Sequence, residues 1–141
     1  LERETGKKSI PVWHKSRGKQ YFLDMVKEYD YVAIGGIVSG EIKRSEYKYF
    51  PWFIEQAHKH KCKIHGSGFT NTKLLTKYKF DSVDSTAWLA GSFGGNIVRF
   101  DAGRIKTVFT SGGNKKLKHH LLADEHNLKE WVKYVRYMDG R

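Results

Sequence analysis

Short apolar runs alternate with helically spaced apolar residues over residues 1–95. The runs at residues 10–14, 31–37, 62–65 and 80–84 predict β-strands. The intervening segments 18–29, 45–60 and 71–79 predict helices, because their apolar side chains recur three or four positions apart. Pro51 lies inside the second of these helices, which is therefore expected to kink or to begin late. This order predicts parallel strands joined by right-handed helical crossovers.

The pattern changes after residue 95. Residues 96–100 and 104–109 read as two strands around the turn Asp101-Ala-Gly103, which predicts a β-hairpin. From Leu117 onward, apolar residues again recur at helical spacing. We therefore divide the chain into residues 1–95, which are β/α units carrying the site, and residues 96–141. The second segment is a hairpin and a C-terminal helical segment, expected to pack on the same domain.

The expected fold class is α/β and resembles about half of a TIM barrel. Four β/α units make half of a (β/α)₈ barrel, which typically needs about 250 residues. The hairpin and the C-terminal helix are additions to that half barrel. Three interpretations stay open: a piece of a longer polypeptide, a half-size relative of a barrel enzyme, or a compact open α/β domain.

Composition and charge narrow the class of protein. The chain has 141 residues, of which 39% are hydrophobic, as in a folded domain. Its net charge of +11 favours a polyanionic partner, and nucleic acid is the first candidate. The alternative is a basic surface that only solubilises the protein. No apolar run approaches the roughly 18 residues of a membrane span, so we expect a cytoplasmic protein with no membrane partner.

The cysteine content limits the metal chemistry. Cys62 is the single cysteine, so neither an internal disulfide nor a multi-cysteine metal site can form within one chain. The histidines lack the spacing of a defined metal site. We therefore expect no structural zinc, no other bound metal and no cofactor.

Asp81 and Asp84 are the candidate catalytic carboxylates. They lie three residues apart at the end of a predicted strand, so their side chains are expected to point to opposite faces and to have different roles. Asp84, next to the hydroxyls of Ser85 and Thr86, is suited to act as a nucleophile or general base. The alternative is that Asp81 caps a turn and Asp84 caps a helix or forms a salt bridge.

Glycines and histidines follow the other predicted strands. Glycines let a backbone approach a flat ligand closely, and histidines at strand ends supply donors and acceptors to a site. The candidate base-binding residues are His14, Gly35, Gly36, Glu41, His65, Gly66 and Gly68. The alternative is that the glycines form tight turns, that the histidines are structural and that Glu41 caps the following helix.

Basic residues interleaved with aromatic ones suggest contacts with a polynucleotide. Aromatic rings stack on bases, and Lys and Arg pair with phosphates. The candidate nucleic-acid-binding residues are Lys43, Arg44, Lys48, Trp88, Arg99, Lys115 and Lys116.

These segments, in this order, resemble the C-terminal half of the queuine/archaeosine tRNA-ribosyltransferases, also called tRNA-guanine transglycosylases. Ala33-Ile-Gly-Gly-Ile-Val-Ser-Gly-Glu41 is similar to the family segment Ala-Ile-Gly-Gly-Leu-x-Val-Gly-Glu, and this is the most specific match. His65-Gly-Ser-Gly68 resembles Met-Gly-Val-Gly, and Asp81-Ser-Val-Asp84 resembles Asp-x-Phe-Asp. Pro11-Val-Trp-His14 resembles Pro-Val-x-Gln. The resemblance covers most of the chain.

The resemblance implies a base-exchange reaction on tRNA. Asp84 would displace guanine and form a covalent glycosyl-enzyme, and an incoming 7-deazaguanine, as in queuosine formation, would then displace Asp84. The glycines and Glu41 would form part of the base pocket, and His14 would stand where a glutamine reads the base. The target base would have to leave its stack. A phage-type relative that places deazaguanines in DNA fits the same residues.

The chain departs from the family pattern in three respects. The aspartates of the family's N-terminal half have no counterpart, and the family's three-cysteine zinc loop is absent, which leaves His126 without its partners. Ala87-Trp-Leu-Ala90 replaces the arginines that follow the nucleophile. The site would therefore need a missing N-terminal half or a homo-oligomer. The rival interpretations are a non-catalytic nucleic-acid-binding module and a small-molecule α/β enzyme that uses His14, His65 and Asp84.

Overall fold

The computed structural model describes residues 2–69, 71–85, 87–89, 94–111 and 118–140. The architecture is mixed α/β, and the chain divides into two compact units, Leu1–Asp84 and Ser85–Arg141. The first unit contains a parallel four-stranded sheet, and the second contains a two-stranded antiparallel hairpin. No helix among the described residues is long and apolar enough to cross a membrane.

The sheet of the first unit consists of β1 (Val12–Trp13), β2 (Tyr31–Ile34), β3 (Lys63–Gly66) and β4 (Ser82–Val83). The strands lie side by side in sequence order, and every neighbouring pair is parallel, as the sequence predicted. Trp13, Ile34, Gly66 and Val83 lie in one row of the register. The carboxyl ends of the four strands are therefore level with one another.

The helices of this unit are α1 (Glu2–Thr5), α2 (Gly18–Glu28) and α3 (Phe50–Lys59). A 3₁₀ helix, Arg44–Tyr49, precedes α3, so the predicted late start of the helix is confirmed. Pro51 lies in the first turn of α3, where its missing N–H costs no intrahelical hydrogen bond.

The predicted helix at residues 71–79 is wrong, because this segment forms successive turns. Amide groups return to nearby carbonyls, for example from Leu74 to Asn71 at 2.9 Å and from Tyr78 to Leu74 at 2.8 Å. Lys73 and Lys77 lie four residues apart, and their like charges would repel each other on one face of a helix.

One face of the parallel sheet carries an aromatic core. The fully buried Phe22 of α2 and the nearly buried Phe53 of α3 meet edge to face with ring centroids 4.8 Å apart, and Phe53 lies 4.7 Å from Trp13. The indole of Trp13 donates to the Gly18 carbonyl at 2.8 Å, which satisfies its polar group. His65 and Ser82 each come one residue before Gly66 and Val83, which share a row of the register with Trp13. Because side chains alternate along a strand, His65 and Ser82 point to the face opposite the aromatic core.

The second unit consists of β5 (Asn96–Asp101), β6 (Arg104–Thr110) and α4 (His120–Asp139). The strands pair antiparallel, which confirms the predicted hairpin. Ala102 and Gly103, the two turn residues, have φ angles of 46° and 78°, as a tight hairpin turn of type I′ requires.

Helix α4 supplies hydrogen-bond partners to the strand edge of β5. The completely buried Asn127 accepts the Val98 N–H at 2.9 Å and donates to the Asn96 carbonyl at 3.1 Å. Glu130 accepts the Phe100 N–H at 2.7 Å, and His126 donates to the Val98 carbonyl at 2.9 Å. These side chains take the place of a further strand. His126, which the resemblance places at a zinc histidine, has this backbone contact instead.

Candidate active site at the carboxyl ends of the parallel strands

The candidate residues from the four strands meet at one edge of the sheet. His14, Gly35 and Asp84 directly follow β1, β2 and β4. The Gly35 amide donates to the Trp13 carbonyl at 2.9 Å, and the Ser67 amide donates to the Ile34 carbonyl at 3.0 Å, so the strands stay in register up to this edge. The carboxyl ends of parallel strands are where α/β proteins place ligand chemistry.

Asp84 presents an oriented carboxylate at this edge. Its Oδ1 accepts the Gly68 N–H at 2.7 Å and lies 3.0 Å from His65 Nε2. Partial burial alone would raise the pKa of the Asp84 carboxyl, but the hydrogen bonds from Gly68 and His65 outweigh it and lower that pKa below its ordinary value. With 59% of its side chain exposed, Asp84 is an ionised and accessible carboxylate at neutral pH.

Asp81 has different partners and a structural role. Its Oδ2 accepts the Ile64 N–H at 2.7 Å and lies 2.9 Å from His58 Nε2 of α3. The Asp81 amide also donates to the Ile64 carbonyl at 3.0 Å. The two aspartates therefore have separate tasks: Asp81 ties the start of β4 to β3 and α3, and Asp84 belongs to the candidate site.

His65 has a partner at each ring nitrogen. Its Nδ1 lies 2.5 Å from Ser82 Oγ, and its Nε2 faces Asp84. Ser82 Oγ is also hydrogen-bonded to the hydroxyl of Tyr31. Sequence reasoning named His65 but missed Tyr31 and Ser82. The signal that finds them is the register, which pairs His65 with Ser82 on the face opposite the aromatic core.

His14 and Glu41 form a second polar pair at the same edge. His14 Nδ1 lies 2.8 Å from Glu41 Oε2, and the other carboxylate oxygen accepts the Ser16 N–H at 3.0 Å. The hydrogen bonds from His14 and from the Ser16 amide lower the pKa of the Glu41 carboxyl. Glu41 does not cap the helix that follows it, since Glu46 accepts the Lys43 N–H there at 2.9 Å.

The glycine pair after β2 makes room for these two side chains. A Cβ at Gly35 would lie 2.9 Å from His14 Nε2, and a Cβ at Gly36 would lie 2.8 Å from Glu41 Oε2. Gly36 also has a φ of 80°, which L side chains rarely adopt. Packing of the His14 and Glu41 pair therefore accounts for both glycines.

The glycines after β3 shape the other side of the site. A Cβ at Gly66 would lie 3.2 Å from the Phe69 side chain, so this position is closely packed. Gly68 has a φ of 69°, and Val38 Cγ2 would lie 2.1 Å from a Cβ there. This backbone conformation directs the Gly68 N–H at Asp84.

A cleft of about 600 Å³ borders the site. Gly68, whose amide holds Asp84, is one of its lining residues. The exposed Lys43 and Arg44 also line it and give it positive charge. A polyanion in this cleft would lie beside the residue that orients the candidate nucleophile.

The other candidate nucleic-acid contacts are distributed along the chain. Exposed Lys48 lies over the Tyr49 ring, with Nζ 5.3 Å from the centroid. In the second unit, Trp88 is half-buried and Arg99 of β5 is exposed. The predicted contacts at Lys115 and Lys116 lie outside the described residues.

The polar side chains of the site are two histidines and two carboxylates. Within the part of the chain that the structure describes, no three His, Cys, Asp or Glu side chains converge to hold a metal ion. The two histidines each face a carboxylate, at 2.8 Å and 3.0 Å, so the site consists of two imidazole–carboxylate pairs.

In comparisons with known proteins, no protein-family model, no curated protein and no solved structure matches this chain.

Proposed function

We propose that this chain is a transglycosylase-like protein that exchanges guanine for a 7-deazaguanine in tRNA or DNA through a covalent Asp84 intermediate. The observation that carries the proposal is the position of Asp84. An exposed carboxylate with a lowered pKa stands at the strand edge where the residues of the resembling motifs converge. A nucleophile needs both accessibility and the ionised form, and Asp84 has both.

The reaction consists of two displacements at the sugar anomeric carbon. An Asp84 carboxylate oxygen bonds to this carbon while the glycosidic bond breaks, and its electron pair leaves with guanine, which takes up one proton. The incoming deazaguanine then loses one proton from its ring nitrogen and displaces Asp84. A carboxylate suits an oxocarbenium-like centre because its charge stabilises the centre and it also leaves readily.

The His14 and Glu41 pair is suited to hold the base. Glu41, whose pKa is lowered, is an ionised acceptor, so His14 Nδ1 carries the proton between them. In the neutral imidazole, Nε2 is then an acceptor for an N–H on the edge of a guanine or deazaguanine. The absence of a side chain at Gly35 leaves room for this ring, because a Cβ there would lie 2.9 Å from His14 Nε2.

The basic residues are proposed to hold the polynucleotide. The cleft with Lys43 and Arg44 offers phosphate contacts next to Gly68. The net charge of +11 adds a long-range attraction that weakens with salt. The target nucleotide would leave its stack for its sugar to reach Asp84.

The proposed fold is half of a (β/α)₈ barrel. Its four parallel strands lie in sequence order, and helices α2 and α3 pack against one face. Parallel sheets are generally covered on both faces. We propose that a second set of β/α units, from an N-terminal half or from another copy of the chain, supplies the acid–base groups.

The experiment is exchange of radiolabelled guanine into tRNA and into duplex DNA at low salt. The wild-type chain is compared with Asp84→Asn, which keeps an oxygen acceptor for the Gly68 N–H. Asp24→Asn makes the same change at an exposed position of α2 and is the matched control. When a second copy of the chain supplies the second set of β/α units, we expect exchange in the wild type and the control, and none in Asp84→Asn. Equal exchange in all three would overturn the proposal.

The second candidate is a non-catalytic nucleic-acid-binding module. The excess of positive charge and the exposed Lys43 and Arg44 favour it. It predicts no exchange, together with salt-dependent binding that is the same in the wild type and Asp84→Asn.

A further inference from the structure

A chain of hydrogen bonds crosses three strands and ends at the candidate nucleophile. Tyr31 of β2, Ser82 of β4 and His65 of β3 are all half-buried and project from the same face of the sheet. The Tyr31 hydroxyl contacts Ser82 Oγ, which contacts His65 Nδ1 at 2.5 Å. His65 Nε2 then lies 3.0 Å from Asp84 Oδ1.

The ionised carboxylate of Asp84 fixes which group donates in each of these hydrogen bonds. The ionised Asp84 carboxylate only accepts, so His65 Nε2 carries a proton while these two groups are hydrogen-bonded. In the neutral imidazole Nδ1 then accepts, and the proton comes from the Ser82 hydroxyl. Ser82 Oγ in turn accepts from the Tyr31 hydroxyl. Every donor finds one acceptor, so the assignment is consistent along the whole chain.

Both donors to the nucleophile meet at one oxygen. The Gly68 N–H and His65 Nε2 both point at Oδ1 of Asp84. Two donors at one oxygen fix the rotation of the carboxylate about its side-chain bond. Oδ2 is then the oxygen presented to the sugar.

We propose that Tyr31 and Ser82 hold His65 as the Nε2-protonated tautomer, and that His65 is thereby a positioning residue that presents Oδ2 of Asp84 for attack. The role of Oδ2 rests on the proposed function, whereas the tautomer does not. A structural role alone would only tie β3 to β4. That role predicts the same loss of fold stability and the same tautomer change in Ser82→Ala, but no loss of kcat.

The test is ¹⁵N NMR of the imidazole nitrogens in the whole chain, with Ser82→Ala, Ser82→Thr and Tyr31→Phe as variants. The wild type is expected to show the Nε2-protonated form near pH 8. Ser82→Ala removes the donor to Nδ1, so that only the solvent-exposed contact with Asp84 still favours Nε2–H, and is expected to shift His65 to a tautomer mixture. Ser82→Thr keeps the hydroxyl and is expected to keep the tautomer. Tyr31→Phe keeps Ser82 in place and is expected to have a smaller effect.

Exchange kinetics provide the second readout. We expect Ser82→Ala to lower kcat about tenfold while KM for guanine stays unchanged, as when an outer partner orients a reacting group. Ser82→Thr should restore most of kcat. An Nδ1-protonated His65 in the wild type, a tautomer that is the same in Ser82→Ala, or an unchanged kcat in Ser82→Ala would overturn the positioning role. If the tautomer behaves as expected but no form of the chain exchanges bases, the proposed function fails and the tautomer assignment stands.

Discussion

Gly36 and Glu41 approach so closely that a Cβ at Gly36 would lie 2.8 Å from Glu41 Oε2. The carboxylate concerned is the one that holds His14 Nδ1 at 2.8 Å. The backbone of Gly36 and the orientation of His14 are therefore coupled through Glu41.

Gly36→Ala is expected to destabilise the protein and to disturb the His14 and Glu41 pair. The left-handed backbone costs an L residue about 1–2 kcal/mol, and the contact with Glu41 adds to that cost. Gly40→Ala is the matched control, because Gly40 has a similar φ of 77° and nothing lies within 4 Å of its Cβ position. Urea unfolding should show a larger loss for Gly36→Ala than for Gly40→Ala. Equal losses would mean that Glu41 simply moves aside.

The sequence was sufficient for the parallel strand order and for gathering the candidate residues. Parallel strands in register bring their carboxyl ends to one edge, so residues after each predicted strand, such as His14 and Asp84, had to come close. The hairpin could be predicted for a similar reason, since its turn at Ala102 and Gly103 has a local signature.

The partners of those residues could not be predicted in the same way. Ser82 contacts His65 as its partner on the neighbouring strand, and Tyr31 contacts Ser82. These contacts depend on how the strands are aligned, and the alignment cannot be read from the spacing of residues along the sequence. The contacts of Asn127 with β5 also depend on how a helix packs against a strand edge.

Asn127→Ala is expected to destabilise the second unit. Its completely buried amide satisfies the Val98 N–H and the Asn96 carbonyl, and the loss of a partner for a buried polar group costs about 1–3 kcal/mol. Lys129→Ala changes an exposed position of the same helix and should stay within about 0.5 kcal/mol of the wild type. Urea unfolding of both variants measures the difference. A loss for Asn127→Ala no larger than that of the control would contradict the proposed edge contacts.

The pKa of Asp84 is expected to depend on a donor at position 65. His65→Leu removes the donor to Oδ1 and should raise the pKa of Asp84 toward its ordinary value of 3.8, whereas His65→Gln keeps a side-chain N–H and should raise it less. Because the wild-type pKa is lowered, Asp84 stabilises the fold above its ordinary pKa. This contribution is lost as the pH falls through the folded value.

Carboxyl ¹³C NMR titration of the three proteins measures this shift. Asp101 is the internal control, because a hydrogen bond from Lys106 in the hairpin lowers its pKa and its titration should be the same in all variants. An Asp84 titration that is unchanged in His65→Leu would show that the Gly68 N–H alone sets its pKa.

Lys43→Ala/Arg44→Ala is expected to weaken binding to tRNA or DNA and to reduce its salt dependence. Each phosphate contact contributes about 0.9 to the slope of log K against log salt for duplex DNA, so the loss of two contacts should reduce the slope by about two. Lys27→Ala/Lys79→Ala removes the same charge from exposed positions outside the cleft and is the matched control. Filter binding between low and physiological salt measures both slopes. If the slope of log K against log salt falls equally in the control variant, the whole basic surface binds the polyanion. If the slope falls only in the Lys43 and Arg44 variant, these two residues hold phosphates beside Gly68, the residue that orients Asp84.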